Sequence, residues 1–289
     1  MISVLVTGAN GQLGKCLQDI VIQKHRDLEW VFKTSEELDI TDQKCVLKLF
    51  DENEFDYLVN CAAYTAVDRA ESEKEKAFLI NAEAVKYLAE TCKINDTKLV
   101  HISTDFVFDG TNDKAYTEED TASPLNMYGA SKLKGEQYIQ GILEHFFIIR
   151  TSWVYSEYGH NFVKTMLRLG KERDQINVVN DQVGSPTYAK DLAAVIIEIV
   201  KSEYTEYGLY HYSNGGVISW FDFTKKIFEY SNIQTDVFPV SSADYITHAK
   251  RPKNSALDKA KISNQLKSTI PNWQESLKKC INSIINEKA

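Results

Sequence analysis

Tyr128 and Lys132 are the residues whose types and spacing best suit a chemical reaction. They lie four positions apart in a predicted helix, so their side chains share one face. A phenol has a reference pKa of roughly 10, and a nearby lysine ammonium favours the phenolate and lowers that pKa. Such a pair can give a proton to a carbonyl oxygen while a hydride reaches the carbonyl carbon. Because the chain contains 15 tyrosines, the spacing alone also suits a solvated helix face.

Three glycines, Gly8, Gly11 and Gly14, follow the first apolar run of the chain. Residues 3–7 are predicted to form a strand, and residues 12–24 are predicted to form a helix. Glycine lets the backbone turn with positive φ and approach a ligand closely, and a helix N-terminus offers free N–H groups to a phosphate. The pattern predicts a phosphate-binding turn. The alternative is a tight strand–helix turn that binds nothing.

The first half of the chain alternates short apolar runs with helical patterns. The predicted strands are 3–7, 29–33, 57–60, 98–103 and 146–150, and the predicted helices are 12–24, 42–53, 75–93 and 127–143. Continuous apolar strands separated by helices predict an α/β fold, a Rossmann-type doubly wound parallel sheet. Ligands of such sheets bind beyond the carboxyl ends of the strands. The hydroxyls of Ser103 and Thr104 fall at such an end.

The second half is less regular. Helices are predicted at 161–170, 190–201, 220–230 and 272–285, and strands at 176–179 and 208–212. We expect residues 1–152, together with about 190–217, to form a cofactor-binding domain. About 153–189 and 218–289 are expected to form a smaller, interwoven α/β substrate domain, with the cleft between the two.

Composition excludes several classes of function. The net charge of −8 offers no electrostatic basis for binding nucleic acid, and no run has the length of a membrane span. The five cysteines are odd in number and scattered, and the N-terminus enters a strand at once, so a cytoplasmic protein without a signal peptide is expected. The six histidines show no metal-ligand spacing, so no metal site is predicted.

The sequence as a whole resembles the extended short-chain dehydrogenase/reductase family, and within it the reductases of nucleotide 4-keto sugars. The resemblance runs nearly end to end, and it is carried by GANGQLG (8–14), LDITD (38–42), NCAAYTAVD (60–68), STDFVFDG (103–110), YGASK (128–132), RTSWVY (150–155) and DQVGSPT (181–187). It implies that Thr104, Tyr128 and Lys132 are catalytic, with Tyr128 as proton donor. The expected cofactor-binding residues are Gly8, Gly11, Gln12, Leu13, Lys33, Asp39, Ile40, Ala62, Ala63, Tyr64, Ser103, Tyr128 and Lys132.

The same resemblance implies a set of substrate contacts. These are Thr65, Val67, Thr104, Phe106, Trp153, Gln182, Ser185 and Arg251. Alternatives stay open for four of them: core packing for Trp153, turn chemistry for Gln182 and Ser185, and a solvated surface position for Arg251.

Four positions depart from the family pattern. Phe106 replaces a frequent tyrosine and so lacks a hydroxyl. Lys15 and Lys190 stand where some members have acidic metal ligands at a dimer contact, which again argues against a metal. The second predicted strand ends at Lys33 with no carboxylate, which favours NADPH, although the family is often permissive and NADH is allowed. A homodimer is compatible with the resemblance.

The resemblance implies reduction of dTDP-4-dehydro-6-deoxy-L-mannose to dTDP-L-rhamnose. Two alternatives remain. One is a reductase, epimerase or dehydratase of another nucleotide sugar, although the Asp105–Phe106 pair lacks the Asp–Glu pair of related dehydratases. The other is a non-catalytic regulatory subunit that keeps the fold and binds NADP(H).

Overall fold

The computed structural model describes residues 1–24, 28–267 and 269–286. Its strands are β1 (Ser3–Thr7), β2 (Glu29–Lys33), β3 (Tyr57–Asn60), β4 (Lys98–Thr104), β5 (Phe146–Thr151), β6 (Val154–Tyr155), β7 (Gln175–Val179), β8 (Val183–Gly184), β9 (Thr187–Tyr188), β10 (Gly208–His211), β11 (Ile218–Ser219) and β12 (Asp236–Val240). Its α-helices are α1 (Gln12–Lys24), α2 (Gln43–Glu52), α3 (Val67–Ala70), α4 (Lys74–Phe78), α5 (Ala84–Ile94), α6 (Met127–Ile142), α7 (Phe162–Glu172), α8 (Ala189–Lys201), α9 (Trp220–Ser231), α10 (Ala260–Leu266) and α11 (Trp273–Asn286).

A six-stranded parallel sheet forms the centre of the molecule. Its strand order is β2–β1–β3–β4–β5–β10. The chain runs outward from β1 to β2 and then returns to place β3 on the other side of β1. This reversal opens a crevice at the carboxyl ends of β1 and β3, where open α/β sheets bind their ligands. The predicted Rossmann-type doubly wound sheet is confirmed.

Helices cover both faces of this sheet because its strands are apolar on both sides. On one face, Leu17 of α1 and Ile196 of α8 are fully buried against the strands. On the other, Val46 of α2 and Leu88 of α5 are fully buried. The side chain of Asp42 caps α2 by accepting from the backbone N–H groups of residues 44 and 45, as its position before the helix predicts.

A separate core forms in the second half of the chain. Val163 of α7, Phe223 of α9 and Leu277 of α11 are buried together in it. This lobe has small sheets of its own, β7 with β12, β6 with β9, and β8 with β11. The strands β6, β8, β9, β11 and β12 and the helix α10 were not predicted. No helix within the described ranges has the length and apolarity needed to cross a membrane.

The helix predicted over 75–93 is present, but a π-helical turn, Leu79–Glu83, joins its two α-helical parts α4 and α5. Within this turn Asn81 accepts a hydrogen bond from the Tyr64 N–H (2.9 Å) and donates to the Tyr64 carbonyl (3.0 Å). Gly135 of α6 packs directly on it, since a Cβ there would lie 2.2 Å from the Asn81 carbonyl oxygen. The extra residue of the π turn therefore lets Asn81 hold the loop after β3.

Candidate active site

The glycine turn after β1 lies against the end of β3. Gly8 has φ +70°, and a Cβ on it would lie 2.6 Å from the Ala62 backbone nitrogen, so only glycine fits. Ala9 N–H donates to the Lys33 carbonyl at the end of β2 (3.1 Å). The turn is thus held between the two neighbouring strands, and α1 begins beside it.

A cleft of about 290 Å³ opens over this turn. Six residues expected to bind the cofactor line it: Gly8, Gly11, Asp39, Ile40, Ala62 and Ala63. Six further lining residues were missed: Asn10, Ser35, Leu38, Thr41, Cys61 and Ile80. Of these, Ser35 carried a usable signal, since it follows the second predicted strand as a polar residue in an exposed segment.

The other predicted cofactor contacts turn their side chains elsewhere. Gln12 accepts from Ser156 (3.0 Å) and from Asn161 (2.8 Å), which ties the start of α1 to the second lobe. The Leu13 side chain is in the core. Only backbone groups of these two residues would face a phosphate at the helix N-terminus. Lys33 is half-buried and does not line the cleft, where Ser35 stands instead.

Tyr64 and Ser103 are also engaged away from the cleft. The Tyr64 ring is buried in a cluster with Tyr128, and its hydroxyl donates to Glu73 at 3.1 Å. The Ser103 hydroxyl donates to Glu136 at 2.5 Å. Both side chains support neighbouring residues of the site.

Thr104, at the end of β4, and Tyr128, in the first turn of α6, lie side by side. Thr104 Oγ1 donates to Asp105 Oδ1 (3.1 Å) and accepts from the Phe106 N–H (3.2 Å). Burial raises the pKa of Tyr128 to about 12, the Thr104 hydroxyl opposes that rise, and Asp105 adds to it. The Phe106 ring meets Tyr128 edge to face, with 5.7 Å between ring centroids.

Lys132 lies one turn further along α6 and is fully buried. Its Nζ donates to the Ile102 carbonyl (2.6 Å) and lies 3.3 Å from His101 Nε2. Burial lowers the pKa of Lys132 to about 8, while Glu136 and Cys61 oppose the shift. The expected lowering of the pKa of Tyr128 by Lys132 is therefore wrong here, because the lysine points into β4 and burial of the phenol dominates.

A second cleft, of about 360 Å³, lies in the second lobe and is partly aromatic. It is lined by Phe162, Met166, Asn177, Val178, Val179, Gln182, Trp220, Tyr245, Thr247 and Arg251. Gln182 and Arg251 were predicted to contact substrate, and both face this cleft. Gln182 donates to the Ser242 hydroxyl at 2.9 Å.

Trp153 and Ser185 stand behind this cleft rather than in its wall. The Trp153 indole stacks on Trp220, with 3.4 Å between ring centroids and 8° between ring planes. The Ser185 side chain is fully buried, and its hydroxyl donates to the Gly216 carbonyl at 2.7 Å. Trp153 therefore supports Trp220, which lines the cleft. The Ser185 hydroxyl bonds to a backbone carbonyl, as expected for a residue that stabilises a turn.

The loop after β3 carries the remaining predicted contacts. Thr65 is exposed, and Val67 begins α3. One residue on, Asp68 accepts from Arg251 at 2.6 Å. This ion pair joins the loop of the first lobe to the loop that carries Arg251.

The two lysines noted in place of acidic residues are engaged by protein groups. Lys190 contacts Glu157 and lies 3.5 Å from Asp19 Oδ2, while the Lys15 ammonium lies 5.6 Å from the centroid of the Tyr158 ring. Across the part of the chain that the structure describes, no three histidine, cysteine or acidic side chains gather in a geometry that could hold a metal ion.

A family model described as the RmlD substrate binding domain matches residues 2–286. The chain belongs to the RmlD family. This match covers both clefts and the Thr104–Tyr128–Lys132 set. The resemblance to extended short-chain dehydrogenases/reductases, of which the RmlD family is part, is confirmed.

Named relatives agree with this membership. The chain is 41% identical over 288 residues to the dTDP-4-dehydrorhamnose reductase of Aggregatibacter actinomycetemcomitans, and the match covers 96% of this chain and 98% of the relative. A crystal structure of the dTDP-4-dehydrorhamnose reductase of Clostridium acetobutylicum superposes with a TM-score of 0.94 at 38% identity, covering 98% and 100% of the two chains. That of Bacillus anthracis, in complex with NADP, gives 0.92 at 42% identity with the same coverage.

Proposed function

We propose that this chain reduces the C4 carbonyl of dTDP-4-dehydro-6-deoxy-L-mannose to give dTDP-L-rhamnose. The observation that carries the proposal is the pairing of Thr104 with Tyr128 at the carboxyl end of β4, beside a glycine turn that leaves room for a phosphate. The relatives named dTDP-4-dehydrorhamnose reductase support the substrate.

The cofactor fits the first cleft. A Cβ at Gly8 would fill the space beside Ala62, and the backbone N–H groups at the start of α1 suit a pyrophosphate. The bound nicotinamide supplies the hydride that reaches the sugar C4 carbon, and the protein supplies the proton for the oxygen. The cysteines within the described ranges are free, which supports a reducing compartment such as the cytoplasm.

Tyr128 is the proton donor of this reaction. Its raised pKa keeps the phenol protonated at neutral pH, which is the form that reduction of a carbonyl requires. The Thr104 hydroxyl, which donates to Asp105 in the free protein, turns to donate to the same carbonyl oxygen, and Lys132 holds the nicotinamide ribose. The oxygen thereby gains a proton as the carbon gains a hydride.

NADPH is the preferred cofactor, with NADH as a second. Ser35 faces the cleft just after β2, where a carboxylate would repel a 2′-phosphate. The one nearby carboxylate in the wall, Asp39, accepts from the Thr41 N–H (2.9 Å) and hydroxyl (2.7 Å). The NADP complex of the Bacillus anthracis relative supports this preference.

The second cleft takes the nucleotide sugar. Aromatic rings of Phe162 and Trp220 offer faces to a base, and Arg251 offers a fork for a diphosphate. The Nε atom of Arg251 is buried and has no hydrogen-bond partner among the described residues. With this assignment of the two clefts, residues 1–152 and about 190–217 form the cofactor-binding domain, and about 153–189 and 218–289 form the domain that binds the sugar nucleotide.

The test mixes purified protein with NADPH and enzymatically generated dTDP-4-dehydro-6-deoxy-L-mannose, and follows loss of the reduced nicotinamide absorbance. Rapid loss with dTDP-L-rhamnose as product is expected. Tight NADPH binding without any loss would overturn the proposal, and would favour another 4-keto sugar or a regulatory protein.

A further inference from the structure

A buried polar chain leads from the glycine turn to the catalytic helix. Asn60, His101 and Lys132 are each at most 1% exposed, and they come from β3, β4 and α6. Asn60 Nδ2 lies 3.0 Å from His101 Nδ1, and His101 Nε2 lies 3.3 Å from Lys132 Nζ. None of the roles described so far uses His101.

The orientation of the Asn60 amide follows from its other contacts. The Ala62 backbone N–H can only donate, and it donates to Asn60 Oδ1 at 3.1 Å. The Thr7 hydroxyl donates to the same oxygen at 2.7 Å. The amide NH2 group must therefore face His101, where it donates to Nδ1.

This fixes the tautomer of His101. Burial, the largest cause, holds the pKa of His101 well below its usual range, so the ring is neutral. Since Nδ1 accepts, the single ring proton is on Nε2, which faces the Lys132 amino group. An ammonium has no lone pair to accept that proton, whereas a neutral amine has one. The geometry is therefore that of an uncharged lysine.

Glu136 and Cys61 favour a charged Lys132, but burial outweighs both, because the pKa of the lysine still falls to about 8. Glu136, on the next turn of α6, is held by Arg150 of β5 with contacts of 2.6 to 3.2 Å, so this buried pair is already neutral. The thiol of Cys61, the residue after β3, is the other titratable group near the lysine, and burial raises its pKa to about 12. A charged Lys132 would leave one uncompensated buried cation.

We propose that His101 is a positioning residue that favours the neutral amine of Lys132 in the free protein at mildly alkaline pH, so that binding of the nicotinamide cofactor there draws a proton onto the lysine. The inference rests on the proposed function, because it takes NADPH as the ligand. The ribose hydroxyls accept hydrogen bonds, and the phosphates bring negative charge, so the ammonium becomes the favoured form once the cofactor is bound.

The test is calorimetry of NADPH binding in buffers of different ionisation enthalpy, which counts the protons taken up. Uptake by the wild type is expected to rise from near zero at pH 6.5 to more than about half a proton at pH 8.5, because the lysine has a pKa of about 8 before binding. Lys132→Met should abolish this uptake.

Asn60→Asp tests the role of the His101 tautomer directly. It keeps the acceptor for Thr7 and Ala62 but replaces the NH2 group with an oxygen, so the His101 proton moves to Nδ1 and Nε2 becomes an acceptor for an ammonium. Uptake at pH 8.5 should fall at least twofold. His101→Gln, whose amide oxygen can turn toward the lysine, should do the same if Asn60→Asp does not fold.

His211→Gln is the matched control. His211 is a buried histidine on β10 whose Nδ1 donates to the Tyr116 carbonyl (3.1 Å), and its substitution should leave the uptake unchanged. Wild-type uptake in both Asn60→Asp and His101→Gln would overturn the inference. A wild-type protein that bound no NADPH would overturn the proposed function and the inference with it.

Discussion

The Asp68 carboxylate accepts a hydrogen bond from the Arg251 guanidinium at 2.6 Å, although the two residues are 183 positions apart. Its second oxygen accepts from the Ala249 N–H at 3.1 Å. A single side chain of α3 thus holds the segment that carries Arg251 in the second cleft. The Asn126 amide, which caps α6, adds a bond to the Lys250 carbonyl at 2.8 Å. The catalytic helix and the substrate loop are therefore attached to each other.

Arg251→Lys should weaken the sugar nucleotide selectively. A lysine keeps the charge but loses the fork that suits a diphosphate, so KM should rise about tenfold while the Kd of NADPH stays unchanged. Asp68→Asn should raise KM less, because it loosens the arginine without removing it. Lys250→Ala, which changes the neighbouring exposed cation, is the control. Equal effects of Arg251→Lys and Lys250→Ala on KM would argue against a diphosphate contact.

Tyr128→Phe should remove the proton donor and little else. Turnover should fall by about 10²–10⁴, the usual contribution of general acid catalysis, while NADPH binds with unchanged affinity. Tyr138→Phe is the control on the same helix, since its hydroxyl contacts Glu83 at 2.9 Å, away from Thr104. Steady-state rates and cofactor titrations measure both effects. A Tyr128→Phe variant with wild-type turnover would refute the mechanism.

Ser35→Asp should reverse the cofactor preference. A carboxylate at this position of the first cleft repels the 2′-phosphate of NADPH and can accept from the ribose hydroxyls of NADH. The ratio of kcat/KM for NADPH to that for NADH should fall by at least about tenfold. Ser35→Asn, which has the same shape without the charge, should change this ratio far less. A wild-type ratio strongly in favour of NADH would contradict the proposed preference itself.

Glu136→Gln should destabilise the protein strongly. Glu136 and Arg150 form a buried pair with side chains 1% and 4% exposed, and the Ser103 hydroxyl also donates to the glutamate. Loss of one partner leaves a buried charge uncompensated, which costs about 3–5 kcal/mol of unfolding free energy. Glu52→Gln breaks an exposed pair with Lys48 and should have little effect. Urea unfolding compares the two, and similar losses would show that the buried pair is unimportant.

Asp105→Asn should become more stabilising as pH rises. Burial raises the pKa of Asp105 from 3.8 to about 6. The contribution of this side chain to the free energy of unfolding is therefore fully present below pH 3.8 and is lost as pH rises through 6. The unfolding free energy of the variant relative to wild type should therefore increase between pH 4.5 and 7.5, by at most about 3 kcal/mol. Asp109→Asn should change in the opposite sense, because hydrogen bonds from Thr111 lower the pKa of that carboxyl. A pH-independent difference for Asp105→Asn would contradict the assignment.

The sheet was predictable from the chain because its strands are continuous apolar runs. The predicted bounds of β1, β2 and β3 agree with the structure, and β4 and β5 extend by one residue. By contrast β12 contains Pro239 and is largely exposed, so it lacks the apolar run that identifies a strand, and it forms only by pairing with β7. Contact with another segment, rather than local pattern, decides such elements.

The candidate site likewise has features that the sequence predicts and features that depend on tertiary contacts. Motif resemblance predicted Thr104, Tyr128 and Lys132 as one set, and the structure places Thr104 beside Tyr128, with Lys132 one turn further along α6. It could not foresee that Lys132 points at His101, since that contact depends on how β4 faces α6. The position of Ser35 after the second predicted strand was a usable signal, but whether Lys33 or Ser35 would face the cleft depends on where β2 ends.

The π-helical turn Leu79–Glu83 places one more residue in its circuit than an α-helix accommodates. In an α-helix each residue advances the side-chain direction by about 100°, so one extra residue sets α4 and α5 out of angular phase by that amount. Deleting a single residue there would restore a continuous α-helix. It would also rotate Asn81 away from Tyr64 and release the loop after β3. Helix geometry alone would therefore permit the loss of this residue, whereas the position of the active-site loop depends on it.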